Sequence, residues 1–169
     1  MLRQSASNLA LARSADQLAR YIALGLPVAL LAGAYVFQYV VGLPPCEMCW
    51  WQRYPLFVAI ALALIATIRP PGRPFLWLAA LAIAVSGAIG AFHAGVEYGW
   101  WEGVTACTIT AAGSSVDPLE AILNAPLVRC DVAPWSLLGI SLAGWNFLFS
   151  SAGAITIALL LTRKARILP

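Results

Sequence analysis

The chain has 169 residues, 62% of them hydrophobic and only 10% charged, with a formal net charge of +3 and a mean hydropathy of +0.83. A water-soluble domain carries about 25% charged residues, so this composition leaves too little polar surface to cover a globule in water. It excludes an ordinary soluble enzyme or binding domain and points to a chain solvated by lipid.

Four stretches, 21–46, 54–68, 74–96 and 132–162, contain no Asp, Glu, Lys or Arg. Crossing the hydrocarbon core takes roughly 20 apolar residues. Residues 1–20 read as a basic, Ser/Ala-rich leader, either a frayed tail or a surface-lying helix with Leu9, Leu11 and Leu18 on its apolar face. A first membrane helix is predicted over 21–42. Its apolar run is far longer than the roughly 7–15 residues of a signal-peptide core, so an uncleaved helix is expected. The next loop is very short and stiffened by Pro44-Pro45.

The second apolar stretch, 54–68, has only 15 residues. Extended back to Cys46 it becomes 23 residues, about 34 Å of helix. The second helix is therefore predicted over 49–68, with Cys46, Cys49 and Arg53 in or just before its first turns, at the membrane surface. A competing reading starts the helix near Tyr54, with Pro55 in the first turn and the cysteines on a lead-in turn.

A tight basic turn with three prolines, 69–74, leads to a third helix predicted over 75–96. Residues 97–136 form the only large segment outside the spans. Within it, Asp117-Pro118-Leu119-Glu120 reads as a helix start with a capping aspartate and a first-turn proline. Leu119, Ile122 and Leu123 share one face there, which suits the bilayer surface or the bundle. The fourth helix is predicted over 137–162. Gly95 and Gly99 stand at GxxxG spacing, read as ordinary close packing and not as a dimer motif. The expected fold is all-α: a single four-helix membrane domain over 1–169, with a short first and a long second outer loop.

With alternating sides, Arg3, Arg13, Arg20, Arg69, Arg73, Arg163, Lys164 and Arg166 share one side, eight of the ten basic residues. The positive-inside rule makes that side the cytoplasm and places both termini there. Only Arg53 and Arg129 fall outside, with six of the seven acids and five of the seven tryptophans near outer boundaries. Those tryptophans, Trp50, Trp51, Trp100, Trp101 and Trp135, read as an aromatic belt.

All four cysteines fall on the outer side. Cys46 and Cys49 form Cys-Glu-Met-Cys; Cys107 and Cys130 would close a 24-residue loop if bonded. Four cysteines allow three pairings, and an oxidising compartment favours bonds. A long loop suits a structural staple, whereas a CxxC ring constrains little of the unfolded chain. CxxC at a helix start has another use, because the helix dipole and a neighbouring cation stabilise a thiolate. Arg53 lies one helical turn after Cys49 and is placed to be that cation; the bland alternative is an arginine snorkelling to headgroups. A zinc site would show two close pairs, and 22 residues separate Cys107 from Cys130; no metal is expected. His93 is the only histidine, near the outer end of the third helix. A lone interfacial histidine is more often structural than catalytic.

At this point the residues carry a resemblance. Pro-Pro-Cys-Glu-Met-Cys-Trp-Trp-Gln-Arg-Tyr-Pro at 44–55, His-Ala-Gly-Val-Glu at 93–97 and Cys-Asp-Val-Ala-Pro-Trp-Ser-Leu-Leu-Gly-Ile-Ser at 130–141 resemble the bacterial disulfide bond formation protein B family, quinone-dependent thiol oxidases of the inner membrane. The resemblance covers nearly the whole chain. It implies that Cys46 and Cys49 are a redox pair next to a quinone, with Cys49 engaging the quinone ring and Arg53 favouring charged states there. It implies that Cys107 and Cys130 form a periplasmic loop disulfide, Cys107 bonding transiently to a thioredoxin-fold, DsbA-like dithiol oxidant. It implies a quinone-side role for His93.

Membrane lipid, quinone (ubiquinone or menaquinone) and that oxidant are the expected partners; nucleic acid is not. The rival readings are a non-enzymatic scaffold with structural disulfides and an outward-directed thiol reductase. The reductase needs a thiol or cofactor on the inner face, where the sequence has no cysteine.

Overall fold

The computed structural model describes residues 2–69, 71–105 and 128–167, with side chains described from 13 to 162 within those segments. The chain forms helices α1 (Leu2–Tyr39), α2 (Glu47–Ile68) and α3 (Arg73–Glu97). A two-stranded hairpin follows, β1 (Ser136–Leu137) and β2 (Ile140–Ser141), and then α4 (Leu142–Ile167). Four helices are long and apolar enough to cross a membrane: Arg13–Tyr39, Glu47–Ile68, Arg73–Glu97 and Leu142–Thr162. In hydrocarbon every backbone polar group must be satisfied within the chain, which a helix does by itself. The outer surfaces of the spans carry large apolar side chains such as Val58, Leu64, Leu81, Phe149 and Ile155, as a lipid-facing wall should. This is a multi-pass membrane four-helix bundle.

The first helix and the fourth differ most from the sequence-based expectation; the fourth runs to Ile167, not 162. The first helix begins at Leu2, not near 21. Residues 2–20 are rich in Ala, Leu, Gln and Arg, all good helix formers, so the helix continues past the apolar stretch. The fourth helix begins at Leu142, not at 137. Residues 136–141 fold instead into the hairpin, whose turn residues Leu138 and Gly139 both have positive φ, 54° and 77°. That pair of angles is the type I′ geometry favoured in two-residue hairpins. Ser141 then caps α4, its Oγ accepting from the Gly144 N–H at 3.1 Å. Tyr98 ties the hairpin to the end of α3: its hydroxyl donates to the Gly139 carbonyl (3.1 Å) and accepts from the Ser141 N–H (2.9 Å). The segment from Asp117 to Leu123 lies outside the described residues.

α3 packs most extensively on α4 and α2, and α1 closes the bundle against α4 and α2. Toward one end the core is built of small residues (Ala19, Ala23, Ala59, Ala63, Ala79) with Leu76, Ile83, Ile157 and Leu161 filling between them. Small residues let helices approach closely where lipid removes the hydrophobic drive between them. Gly90 is the closest such contact between α3 and α4: a Cβ there would sit 2.9 Å from the Ala143 carbonyl oxygen, which is backbone and cannot yield. Gly90→Val is therefore expected to destabilise the bundle by about 1–3 kcal/mol, read as a lower melting temperature in detergent. An unchanged melt would mean that α3 and α4 separate there at little cost.

Gly95 and Gly99 serve the end of α3. Gly99 terminates it with φ +69°, and Gly95 lies under Trp101, where a Cβ would overlap the indole. The Trp101 Nε1–H donates to the Phe92 carbonyl at 2.9 Å and the two rings stack. The GxxxG spacing thus seats a tryptophan of the same chain.

Candidate functional site

The site begins at the head of α2. Pro44 and Pro45 fix their own φ and deliver the chain to Cys46, whose extended backbone (φ −76°, ψ 174°) makes it the N-cap of the helix. Its sulfur does what a serine oxygen usually does and accepts from the Cys49 N–H at 3.2 Å. The helix runs straight through Pro55, so the cysteines are part of α2 and not of a separate turn. Cys46 and Cys49 stand as a dithiol with sulfurs 2.9 Å apart, Cys46 donating to Cys49. Holding that shared proton, and then burial, push the Cys46 thiol above its ordinary range. Cys49 is left as the sulfur with accepting lone pairs, inside the first helical turn where the dipole favours negative charge.

Arg53 is buried, with 6% exposure. Its guanidinium turns to α1, donating to Gln38 Oε1 at 2.6 Å and to the Ala34 carbonyl at 3.4 Å. It also lies over the rings of Tyr35 and Trp50, 5.0 and 4.9 Å from their centroids. No carboxylate pairs with it among the described residues.

Cys49 and Arg53 both line a cavity of about 410 Å³ between α1 and α4, walled by apolar groups including Gly33, Phe37 and Trp135. Trp135 packs on Phe37 with ring centroids 4.8 Å apart.

His93 does not line this cavity. Gln52 and Asn146 do line it, and Gln52 lies between the cavity and the His93 ring. The His93 Nε2 lies 3.6 Å from Cys46 Sγ and 3.7 Å from Glu97 Oε1. The ring is 2% exposed.

Behind it runs a buried polar chain that sequence reasoning missed. Gln52 Nε2 lies 2.8 Å from His93 Nδ1 and donates to the Met48 carbonyl at 3.2 Å. Asn146 Nδ2 donates to Gln52 Oε1 at 2.8 Å and to both the carbonyl and hydroxyl of Ser86 at 3.2 Å. Ser86 donates to the Gln52 carbonyl at 2.8 Å, and Ser150 to Asn146 Oδ1 at 3.1 Å. The chain crosses α2, α3 and α4. Its sequence signal was available: Gln52, Asn146, Ser86 and Ser150 are polar residues within membrane spans, which are expensive there and mark function or packing.

Cys130 is fully buried in one cluster with Cys46, Met48 and Val96, and its sulfur accepts from Thr105 Oγ1 at 3.4 Å. Its neighbours Arg129 and Asp131 form a two-pronged ion pair at 2.9 and 2.5 Å. That hydrogen bonding holds the Asp131 carboxyl below its usual range. Cys107 lies outside the described residues. The structure thus brings Cys46, Cys49, His93 and Cys130 together on one side of α2, and Cys49 and Arg53 together on the cavity side. Cys46, Cys49 and His93 present ligand atoms within 4.8 Å of one another; which ring nitrogen carries the proton decides whether such a trio suits a cation.

Comparison with known proteins agrees over most of the chain. The family described as "Disulfide bond formation protein DsbB" matches residues 16–160. Proteins named "Disulfide bond formation protein B" are similar to it. That of Verminephrobacter eiseniae is 35% identical over 145 residues (79% of each chain). That of a Polaromonas species is 34% identical over 148 residues (82% of this chain, 86% of the relative). That of Marinobacter nauticus is 31% identical over 131 residues (72% and 77%). No solved structure matches the chain.

Proposed function

The chain belongs to the disulfide bond formation protein DsbB family, and on that footing we propose that it is a thiol oxidase that makes disulfides de novo. It reoxidises a periplasmic dithiol oxidant of thioredoxin fold, DsbA-like, and passes two electrons to a membrane quinone. Ubiquinone and menaquinone both meet the chemical requirement. The basic residues on one side of the spans favour a bacterial inner-membrane protein with both termini cytoplasmic and the cysteines periplasmic.

The observation that carries this reading is the Cys49 sulfur and the Arg53 guanidinium on the wall of one apolar cavity between two membrane helices. A quinone ring needs an apolar slot open to lipid, a cation near its oxygens and a sulfur within reach, and these residues offer all three. The quinone supplies the electron sink, taking two electrons and two protons and leaving as quinol.

The rest is work for the chain's own sulfurs. Cys107 takes the partner's thiolate as a mixed disulfide. The partner's second thiolate releases it, leaving Cys107 and Cys130 reduced and the partner oxidised. Cys130, packed in the same buried cluster as Cys46, then exchanges with the Cys46–Cys49 disulfide through an interloop bond. Cys46 and Cys49 become the dithiol and deliver both electrons and both protons on the cavity side. The sum is one partner dithiol and one quinone consumed, one partner disulfide and one quinol formed.

The potentials constrain this. Strong periplasmic oxidants of the DsbA kind stand at about −120 mV, a general value and not one derived for this chain. An ordinary structural disulfide below about −300 mV would lie more than about 8 kcal/mol uphill as an acceptor from such a donor. Both pairs here are therefore expected well above about −300 mV, and redox titration of each pair measures it.

The test of the whole reading is anaerobic quinone reduction by the purified protein with a reduced thioredoxin-fold donor. Quinone loss matched by partner disulfide is expected. No loss with any quinone, the cysteines staying bonded and unreactive, would leave a membrane scaffold. In the same assay Cys107→Ser is expected to abolish the mixed disulfide; a complex trapped normally through Cys130 would reverse the two roles.

A further inference from the structure

The orientation of every group in the polar chain behind Cys46 follows from two backbone carbonyls. The Ser86 carbonyl can only accept, so the Asn146 atom 3.2 Å from it is the amide nitrogen. That nitrogen lies 2.8 Å from the Gln52 carboxamide, so the Gln52 atom it meets is the oxygen. Independently, the other Gln52 atom lies 3.2 Å from the Met48 carbonyl and must be its nitrogen. The two carbonyls, on different helices, agree. The Gln52 nitrogen then donates to His93 Nδ1 at 2.8 Å. A neutral imidazole that accepts at Nδ1 carries its proton at Nε2, the atom 3.6 Å from the Cys46 sulfur.

We propose that Gln52 and Asn146 are positioning residues that hold His93 as a hydrogen-bond donor to Cys46, so that the ring stabilises the Cys46 thiolate instead of taking its proton. The consequence for exchange rests on the thiol-oxidase reading, because there Cys46 must ionise to attack or to leave. The groups that face Cys46 are Cys49 from its own helix, His93 from α3 and Cys130 from the segment before the hairpin. Glu97, also on α3, competes for the same Nε2–H at 3.7 Å. The Cys130 backbone also hydrogen-bonds the ring, so the Nε2–H must turn to the Cys46 sulfur when that sulfur ionises. The same tautomer presents a proton, not a lone pair, to the Cys46–Cys49–His93 trio, which makes it a poor cation site despite ligand atoms within 4.8 Å.

His93 is the only histidine in the chain, so nitrogen NMR of the full-length protein in detergent, with isotope-labelled histidine, reads this one ring. A protonated Nε2 and a bare Nδ1 are expected in the unaltered reduced protein; a protonated Nδ1 overturns the proposal without any variant. In Gln52→Glu a carboxylate faces Nδ1 and is expected to draw the proton there, freeing Nε2. Reduced Gln52→Glu is then expected to bind zinc, added as the bare ion, at least about tenfold more tightly than the unaltered protein. An unchanged tautomer in Gln52→Glu overturns the positioning role. In Gln52→Met, which keeps the bulk and removes the donor, the Cys46 thiolate is expected to form about one pH unit higher, followed by ultraviolet absorbance in a background where Cys49, Cys107 and Cys130 are alanine, so that Cys46 is the one thiol read. A titration that does not move overturns the action on the sulfur. None of these readouts uses quinone turnover, so they succeed or fail separately from the oxidase assay.

Discussion

Replacing Cys49 by alanine is expected to abolish quinone reduction while the bundle stays folded. Cys49 is the one cysteine among the described residues that lines the cavity between α1 and α4. Cys46 is fully engaged elsewhere, donating its proton to Cys49 and facing His93. Removing the sulfur that carries the chemistry, in a set of residues that act as a unit, costs a large factor that neighbours do not make up. The expected fall in turnover is at least ~1,000-fold. The side chain lost is small and sits at the first turn of a helix held by its membrane contacts, so far-ultraviolet circular dichroism should be unchanged. The measurement is anaerobic decay of quinone absorbance with saturating reduced donor. Activity within tenfold of the unaltered protein would move the quinone contact to a group other than Cys49.

The second large effect is expected at Arg53. A buried guanidinium without a carboxylate partner is costly unless dipoles and π faces stand in for one. Gln38, the Ala34 carbonyl, Tyr35 and Trp50 do this. Because these partners are neutral, the full positive charge remains available to the cavity, where it favours negative charge developing during reaction. Arg53→Met keeps much of the apolar stem and removes the charge. A charge-assisted hydrogen bond is worth about 1.5–3 kcal/mol, so kcat/KM for quinone is expected to fall roughly 10- to 150-fold. Arg53→Lys should recover only part of it, since a point charge cannot serve Gln38 and the Ala34 carbonyl together as the guanidinium fork does. If kcat/KM for quinone is unchanged in Arg53→Met, Arg53 is a packing element between α1 and α2.

Much of this was legible from residue types alone. Charge-free runs of sufficient length announce membrane helices because hydrocarbon tolerates little else. The short second run placed Cys46, Cys49 and Arg53 at the head of α2, since only an extension through them spans the bilayer. Element ends were less legible. Hydropathy registers where lipid stops, not where helical hydrogen bonding stops, so α1 runs back to Leu2. The hairpin at 136–141 replaced the predicted first turn of the fourth helix, because two positive-φ residues and the Tyr98 hydroxyl favour a turn over apolar sequence that reads equally well as helix.

What the sequence determined by itself was the medium, the number of spans and the place of Cys46, Cys49 and Arg53 at the head of the second helix. These are properties of residues taken singly or over one helical turn. What only the tertiary structure decided was which face of α2 each group serves. It set Cys49 and Arg53 toward the cavity beside α1 and α4. It set Cys46 toward His93 and Cys130, and it joined Gln52 to Asn146 across 94 positions of sequence. No local pattern encodes these pairings, because they arise from the rotation of each helix. That rotation is settled by where small residues such as Gly90 let backbones touch and by the demand that every polar group within the membrane find a partner.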